Sequence, residues 1–142
     1  MLRTSTGRAL TVIVAFVLVV SPTGCKTRAI HDPVEVPLPL LTDRSNPDDV
    51  DEAIWRAARK QGWVPTRVRS GEVRATWTKK IHSATVAITH DHGHLRIAYE
   101  DSENLLRNGD RIHRNYNSLV QRLADRVQRE PIVAVDTWPV SE

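Results

Sequence analysis

Val73-Arg74-Ala75-Thr76-Trp77-Thr78-Lys79 and Ser83-Ala84-Thr85-Val86-Ala87-Ile88-Thr89-His90 carry a period of two. Val73, Ala75 and Trp77 fall on one side of the first stretch, and Ala84, Val86 and Ile88 on one side of the second. Arg74, Thr76, Thr78, Thr85, Ala87 and Thr89 fall on the other side. Such alternation belongs to strands with one covered face. Outward from this pair, Trp63–Ser70 and Leu95–Glu100 read as two more strands, the latter with Leu95, Ile97 and Tyr99 on one face. Ser70-Gly71 and His92-Gly93 are tight-turn signals. Three short connections in series predict an antiparallel meander with one buried face. Pro65 lacks an N–H, so it fits only if Trp63–Ser70 lies at a sheet edge or is bulged.

Two helical stripes flank the strands. Asn46 is a good N-cap and Pro47 suits the first helical position. Asp48, Asp49, Asp51 and Glu52 face the positive end of the helix dipole. Val50, Ala53, Ile54 and Ala57 make the apolar stripe, and Gly62 can close the helix. Downstream, Asp101–Ile112 reads as a loop. His113–Arg129 reads as a helix with Tyr116, Leu119, Val120, Leu123 and Val127 as its stripe, ended by Pro131. The expected fold is α+β: a two-layer sandwich of a four-stranded antiparallel meander with N- and C-terminal helices on one face, in the order α-β-β-β-β-α. This domain spans residues 46–130. Residues 131–142 are apolar in part and fit an added strand, a loosely packed tail or an unstructured one.

The N-terminal region gives an address. Arg3 and Arg8 precede the uncharged Ala9–Val20, and Ser21–Gly24 is small and turn-forming. These are the three regions of a secretion signal, residues 1–24. Twelve apolar residues span roughly 18 Å as a helix against a hydrocarbon core of about 30 Å, so a cleaved signal fits better than a membrane span. Cys25 is the only cysteine, which excludes an intramolecular disulfide. Its place just after the apolar region points to modification. Pro22-Thr23-Gly24-Cys25 looks like the lipobox of bacterial lipoproteins, though Pro22 stands where that pattern usually has an aliphatic residue. The resemblance implies cleavage before Cys25, a diacylglycerol thioether on it, and acylation of the new amino group. Lys26 in the next position implies an outer-membrane destination facing the periplasm. Residues 25–45, with Pro33, Pro37 and Pro39, read as an extended tether reaching roughly 60 Å. The more apolar Val34–Leu41 part of it is a candidate for docking on the domain.

Composition limits the partners. The 142 residues carry 20 basic and 17 acidic side chains. Removing residues 1–24 takes away Arg3 and Arg8, leaving 18 basic against 17 acidic. No global nucleic-acid footprint remains.

Gly62-Trp63-Val64, Gly71–Thr76, His82–Val86, Ile97–Leu105 and, most specifically, Asn108-Gly109-Asp110-Arg111-Ile112-His113-Arg114-Asn115-Tyr116-Asn117 resemble a family of small uncharacterised proteobacterial envelope lipoproteins. The resemblance covers roughly Asp48–Glu130. It implies a lipid-anchored envelope protein and supplies no catalytic residues. The hairpin His90–His94 lies outside its pattern.

Three constellations carry chemistry. His90, His92 and His94 could offer nitrogen ligands to Zn or Cu, with Asp91 beside them, yet a turn tip need not make them converge. The plain alternative is a polar hairpin tip. Ser102, with His113 as base and Asp101 or Asp110 as its partner, is the only outline of an acid-base site. No oxyanion-type glycine cluster or nucleophile elbow accompanies it, so a non-enzymatic protein is expected. Arg56–Lys80 holds eight basic residues against Glu72. Of these, Arg67, Arg69, Arg74, Lys79 and Lys80 form a candidate surface for an envelope protein or anionic glycan; the alternative is a solvated face that blunts edge pairing. No cofactor is expected beyond the covalent lipid.

Overall fold

The structure, a computed structural model, describes residues 26–38, 46–91 and 93–133. Cys25, His92 and residues 134–142 lie outside the described residues, as does the signal.

The α+β class stands, with more strands than the alternation alone provides. Strands β1 (Thr27–Ala29) and β2 (Val34–Pro37) precede helix α1 (Pro47–Lys60). Strands β3 (Trp63–Arg69), β4 (Glu72–Lys79), β5 (His82–Asp91) and β6 (His94–Glu103) follow. Strand β7 (Arg111–His113) and helix α2 (Asn115–Arg129) complete the order. The main sheet is antiparallel with five strands in the order β2-β6-β5-β4-β3, and β1 pairs with β7 in a separate two-stranded sheet. The four-stranded meander is thus corrected to five strands. The fifth comes from the expected tether: Val34 pairs with Ile97 and Val36 with Leu95. Val36 is buried on the sheet's inner face, so this segment docks on the domain and covers the free edge of β6.

Helix α1 begins as its sequence dictates. The Asn46 side chain accepts from the Asp48 N–H at 3.1 Å, Pro47 occupies the first turn, and Arg59 and Lys60 close the last. Gly62, at φ +77°, takes the left-handed turn that releases the chain into β3. Pro65 sits on β3, which is the sheet edge and carries an irregularity between Arg67 and Arg69. Helix α2 starts at Asn115, two residues later than its stripe suggests, because residues 111–113 pair with β1.

One core joins both helices to the sheet's inner face. Ile54 and Ala57 from α1, Tyr116 and Leu123 from α2, and Val73, Val86, Ile88 and Ile97 from the sheet belong to it. Trp77 packs against this core, half-buried. The Tyr99 and Tyr116 rings meet edge-on at 5.7 Å. Burial pushes the Tyr116 phenol above its ordinary value. Glu130 is only 3% exposed. Its carboxylate takes Lys60 at 2.7 Å, Arg126 at 3.3 Å and Arg56 at 3.4 Å, tying the end of α2 to α1. Among the described residues, no helix is long and apolar enough to cross a membrane.

Candidate functional site

The densest polar cluster lies where α1 crosses the β3–β4 turn and the end of β5. Asp51 points inward from α1 and is fully buried. One carboxylate oxygen accepts from His90 Nε2 at 2.9 Å. The other accepts from the Gly71 N–H at 3.1 Å and faces Arg67 at 3.3 Å. Arg67 also pairs with Asp48, whose carboxylate accepts from the Ser70 hydroxyl at 3.0 Å. Gly71 has φ +83°, and a Cβ there would stand 3.8 Å from the His90 carbonyl, whose strand it approaches closely. The His90 N–H donates to the Gly71 carbonyl at 3.3 Å. Each buried donor therefore has an acceptor, the condition under which a buried charge is tolerated. Chemically this is a carboxylate holding an imidazole and a guanidinium in place, with the His90 side chain 5% exposed.

Two of the three hairpin histidines, His90 and His94, fall within the described residues. His90 pairs with the buried Leu95 and shares its inward face, whereas His94 pairs with Asp91 and is exposed. Neighbouring positions on a strand point to opposite faces, so β5 and β6 do not bring His90 and His94 together. Among the described residues, no group of three or more His, Cys, Asp or Glu side chains is placed to hold a metal. A groove at this end of the sheet is lined by Glu35, Thr89, His90, Asp91, His94, Leu95 and Arg96, with Arg96 paired to Glu35 at 2.9 Å.

The residues considered for acid-base chemistry have separate tasks. The Ser102 and Tyr99 hydroxyls lie 3.0 Å apart, and Asp101 accepts from the Ser102 N–H at 2.8 Å. His113 Nδ1 faces the Asn115 N–H at 3.3 Å, where it stands in for a side-chain cap at the start of α2. Asn117 pins the N-terminal segment: its amide donates to the Ala29 carbonyl at 2.8 Å and accepts from the His31 N–H at 3.1 Å.

The basic surface divides in two. Arg67 belongs to the buried cluster. Arg69 meets Glu72 at 2.6 Å. Arg74 makes two hydrogen bonds to Glu100, at 2.7 and 2.5 Å, which hold its guanidinium above the ordinary value. Lys79 and Lys80 remain, exposed at the β4–β5 turn beside Ile81, which is 70% exposed. The outer sheet face is accordingly a charge-balanced surface of threonines and alanines, with its unneutralised lysines at one end.

Sequence reasoning placed Asp51 among dipole-facing acids and missed its burial. The signal was its phase: residue 51 lies three before Ile54 and seven before Ala58, on the covered side of a helix. Counting two residues on from Ile88 likewise places His90 inward.

No protein-family model, no curated protein and no solved structure matches the chain.

Proposed function

We propose that this chain is a lipid-anchored protein of the bacterial envelope, held through Cys25. It acts as a non-enzymatic interaction module in envelope assembly or maintenance. The observation that carries the reading is the run from Arg3 to Cys25: a basic start, twelve uncharged apolar-rich residues, a small turn and the chain's only cysteine. Membership in the lipoprotein family that the Asn108–Asn117 segment resembles belongs to the same proposal. Outer-membrane attachment facing the periplasm rests on Lys26.

The fold suits this role. The domain's first strand begins at Thr27, so an anchor at Cys25 would hold a folded body from its first residues. One side of the sheet is covered by core, while the other presents Thr66, Thr76, Thr85, Ala87, Thr89 and Ala98 between ion pairs. Such a face can pair with an envelope protein, and the exposed Lys79 and Lys80 at its end with an anionic glycan, without internal unfolding. Membrane fractionation of cells carrying the wild type or Cys25→Ala tests the anchoring. Wild type in the membrane fraction with the variant released or unprocessed supports it; identical distribution of two processed chains overturns it.

A further inference from the structure

Two loops at one end of the sheet expose aliphatic side chains on left-handed backbone. In the β4–β5 turn, Lys80 has φ +57° and presents Ile81, 70% exposed. In the loop after β6, Asn104 and Leu106 have φ +55° and +54°, and Leu106 is 54% exposed. Left-handed backbone outside glycine costs about 1–2 kcal/mol per residue. Chains keep such conformations where the surroundings fix them. Here Asn104 provides the fixing. Its amide donates to the Ile81 carbonyl at 2.6 Å, and its own carbonyl faces His82 Nδ1 at 2.7 Å. Asn104 thereby ties the two loops to each other.

The same end carries the start of the domain. The Leu105 carbonyl accepts from the His113 N–H at 2.7 Å, His113 pairs with Thr27, and the Lys26 carbonyl accepts from the Arg114 N–H at 3.0 Å. Hydrogen bonds thus run from the Ile81 tip through Asn104 and Leu105 to Lys26, the residue after Cys25. Lys26, Lys79, Lys80 and Arg114 are exposed there and form no ion pair among the described residues. Asp110, four residues before Arg114, and Asp32, six after Lys26, are exposed acids near those two, whereas Lys79 and Lys80 have no exposed acid close to them in sequence.

We infer that this end of the domain lies flat on an anionic phospholipid bilayer, with Ile81 and Leu106 entering the headgroup layer and the lysines over lipid phosphates. The inference rests on the anchoring reading and sharpens it: β1 leaves no spacer after Cys25, so the domain stands at the membrane surface and not about 60 Å above it. Exposed aliphatics ringed by cations match an interfacial binder, which combines apolar burial with attraction to anionic lipid. A second protein as occupant has nothing comparable to position it, whereas the anchor delivers the bilayer to this end.

The test uses the full chain, processed in cells and reconstituted into vesicles of phosphatidylcholine and phosphatidylglycerol. Nitroxide labels are placed at Ile81→Cys, Leu106→Cys and, at the opposite end of the sheet, Asp91→Cys. Intact mass reports lipid on Cys25. With lipid present, positions 81 and 106 should lose collisions with a water-soluble nickel relaxant and gain collisions with oxygen, while position 91 stays open to nickel. Lys79→Gln and Lys80→Gln should each reduce the docked population about fivefold. Equal nickel access at 81, 106 and 91 on an acylated chain overturns the flat placement and leaves anchoring intact. A processed chain without acyl mass overturns both.

Discussion

Asp51→Ala is the perturbation on which the structure makes its largest quantitative demand. The carboxylate is 0% exposed and serves three donors: His90 Nε2, the Gly71 N–H and the Arg67 guanidinium. Removing it leaves two buried donors without an acceptor, at about 1–3 kcal/mol each. Arg67 retains Asp48, so its loss is partial. Breaking one side of a buried ion pair costs about 3–5 kcal/mol in other proteins. Both routes give roughly 4 kcal/mol, a large part of the 5–15 kcal/mol that stabilises a typical domain. Urea unfolding of the processed protein, followed by tryptophan fluorescence, measures it. Asp51→Asn should cost less, since its carbonyl oxygen can still accept one bond. The double variant Asp51→Ala/His90→Leu should be less destabilised than the sum of its single changes, by about 1–3 kcal/mol, because the orphaned imidazole is gone. A cost below about 1 kcal/mol for Asp51→Ala, or strict additivity in the double variant, would refute the view that the cluster locks α1 onto the sheet.

Three further outcomes follow from neighbouring features. Val36→Asp places a charge at a site 6% exposed and should destabilise the domain by about 2 kcal/mol or more in the same urea assay; a spacer segment would show no change. Burial pushes Glu130 upward in pKa, but Lys60, Arg56 and Arg126 hold it net below the ordinary carboxylate value. Its contribution is present above the unfolded value of about 4.3 and is lost as pH falls through the lower folded value. Glu130→Gln should therefore flatten the stability profile below about pH 4.3, which acid titration followed by circular dichroism reads directly. Arg96→Ala breaks a pair whose side chains are 52% and 66% exposed, so its effect on the urea midpoint should stay under about 1 kcal/mol.

The central strands were legible because each buries one face, and burial writes itself into sequence as alternation. Ala84, Val86 and Ile88 alternate with Thr85, Ala87 and Thr89 over enough residues to exclude a helix. Helix α1 was legible from Asn46-Pro47 and its apolar stripe. Strands β1 and β2 were not legible, because strands of three and four residues are too short to carry a period, and Pro33 and Pro37 at β2 argue against a strand. Their partners lie far away in sequence: Glu35 meets Arg96, and Thr27 meets His113. Strand β7 is equally short, and the stripe of α2 reads back into its last residue, His113. His90 shows the limit of motif reading. Three histidines within five residues suggest shared chemistry, but strand parity separates His90 from His94, and the inward one answers a carboxylate on α1. The basic run from Arg56 to Lys80 suggested a continuous cationic surface. In the fold Arg69 meets Glu72 across the β3–β4 turn, and Arg74 meets Glu100, a partner 26 residues away that only strand pairing reveals.

Everything proposed for this protein's role depends on the lipid proposed on Cys25, which would hold the domain to a membrane. The most direct measurement is the intact mass, with N-terminal fragment sequencing, of the protein recovered from membranes of an expressing bacterium. The expected product is a chain beginning at Cys25 with added diacylglycerol and acyl mass. A recovered chain that retains residues 1–24, or begins at Cys25 with no added mass, would contradict it.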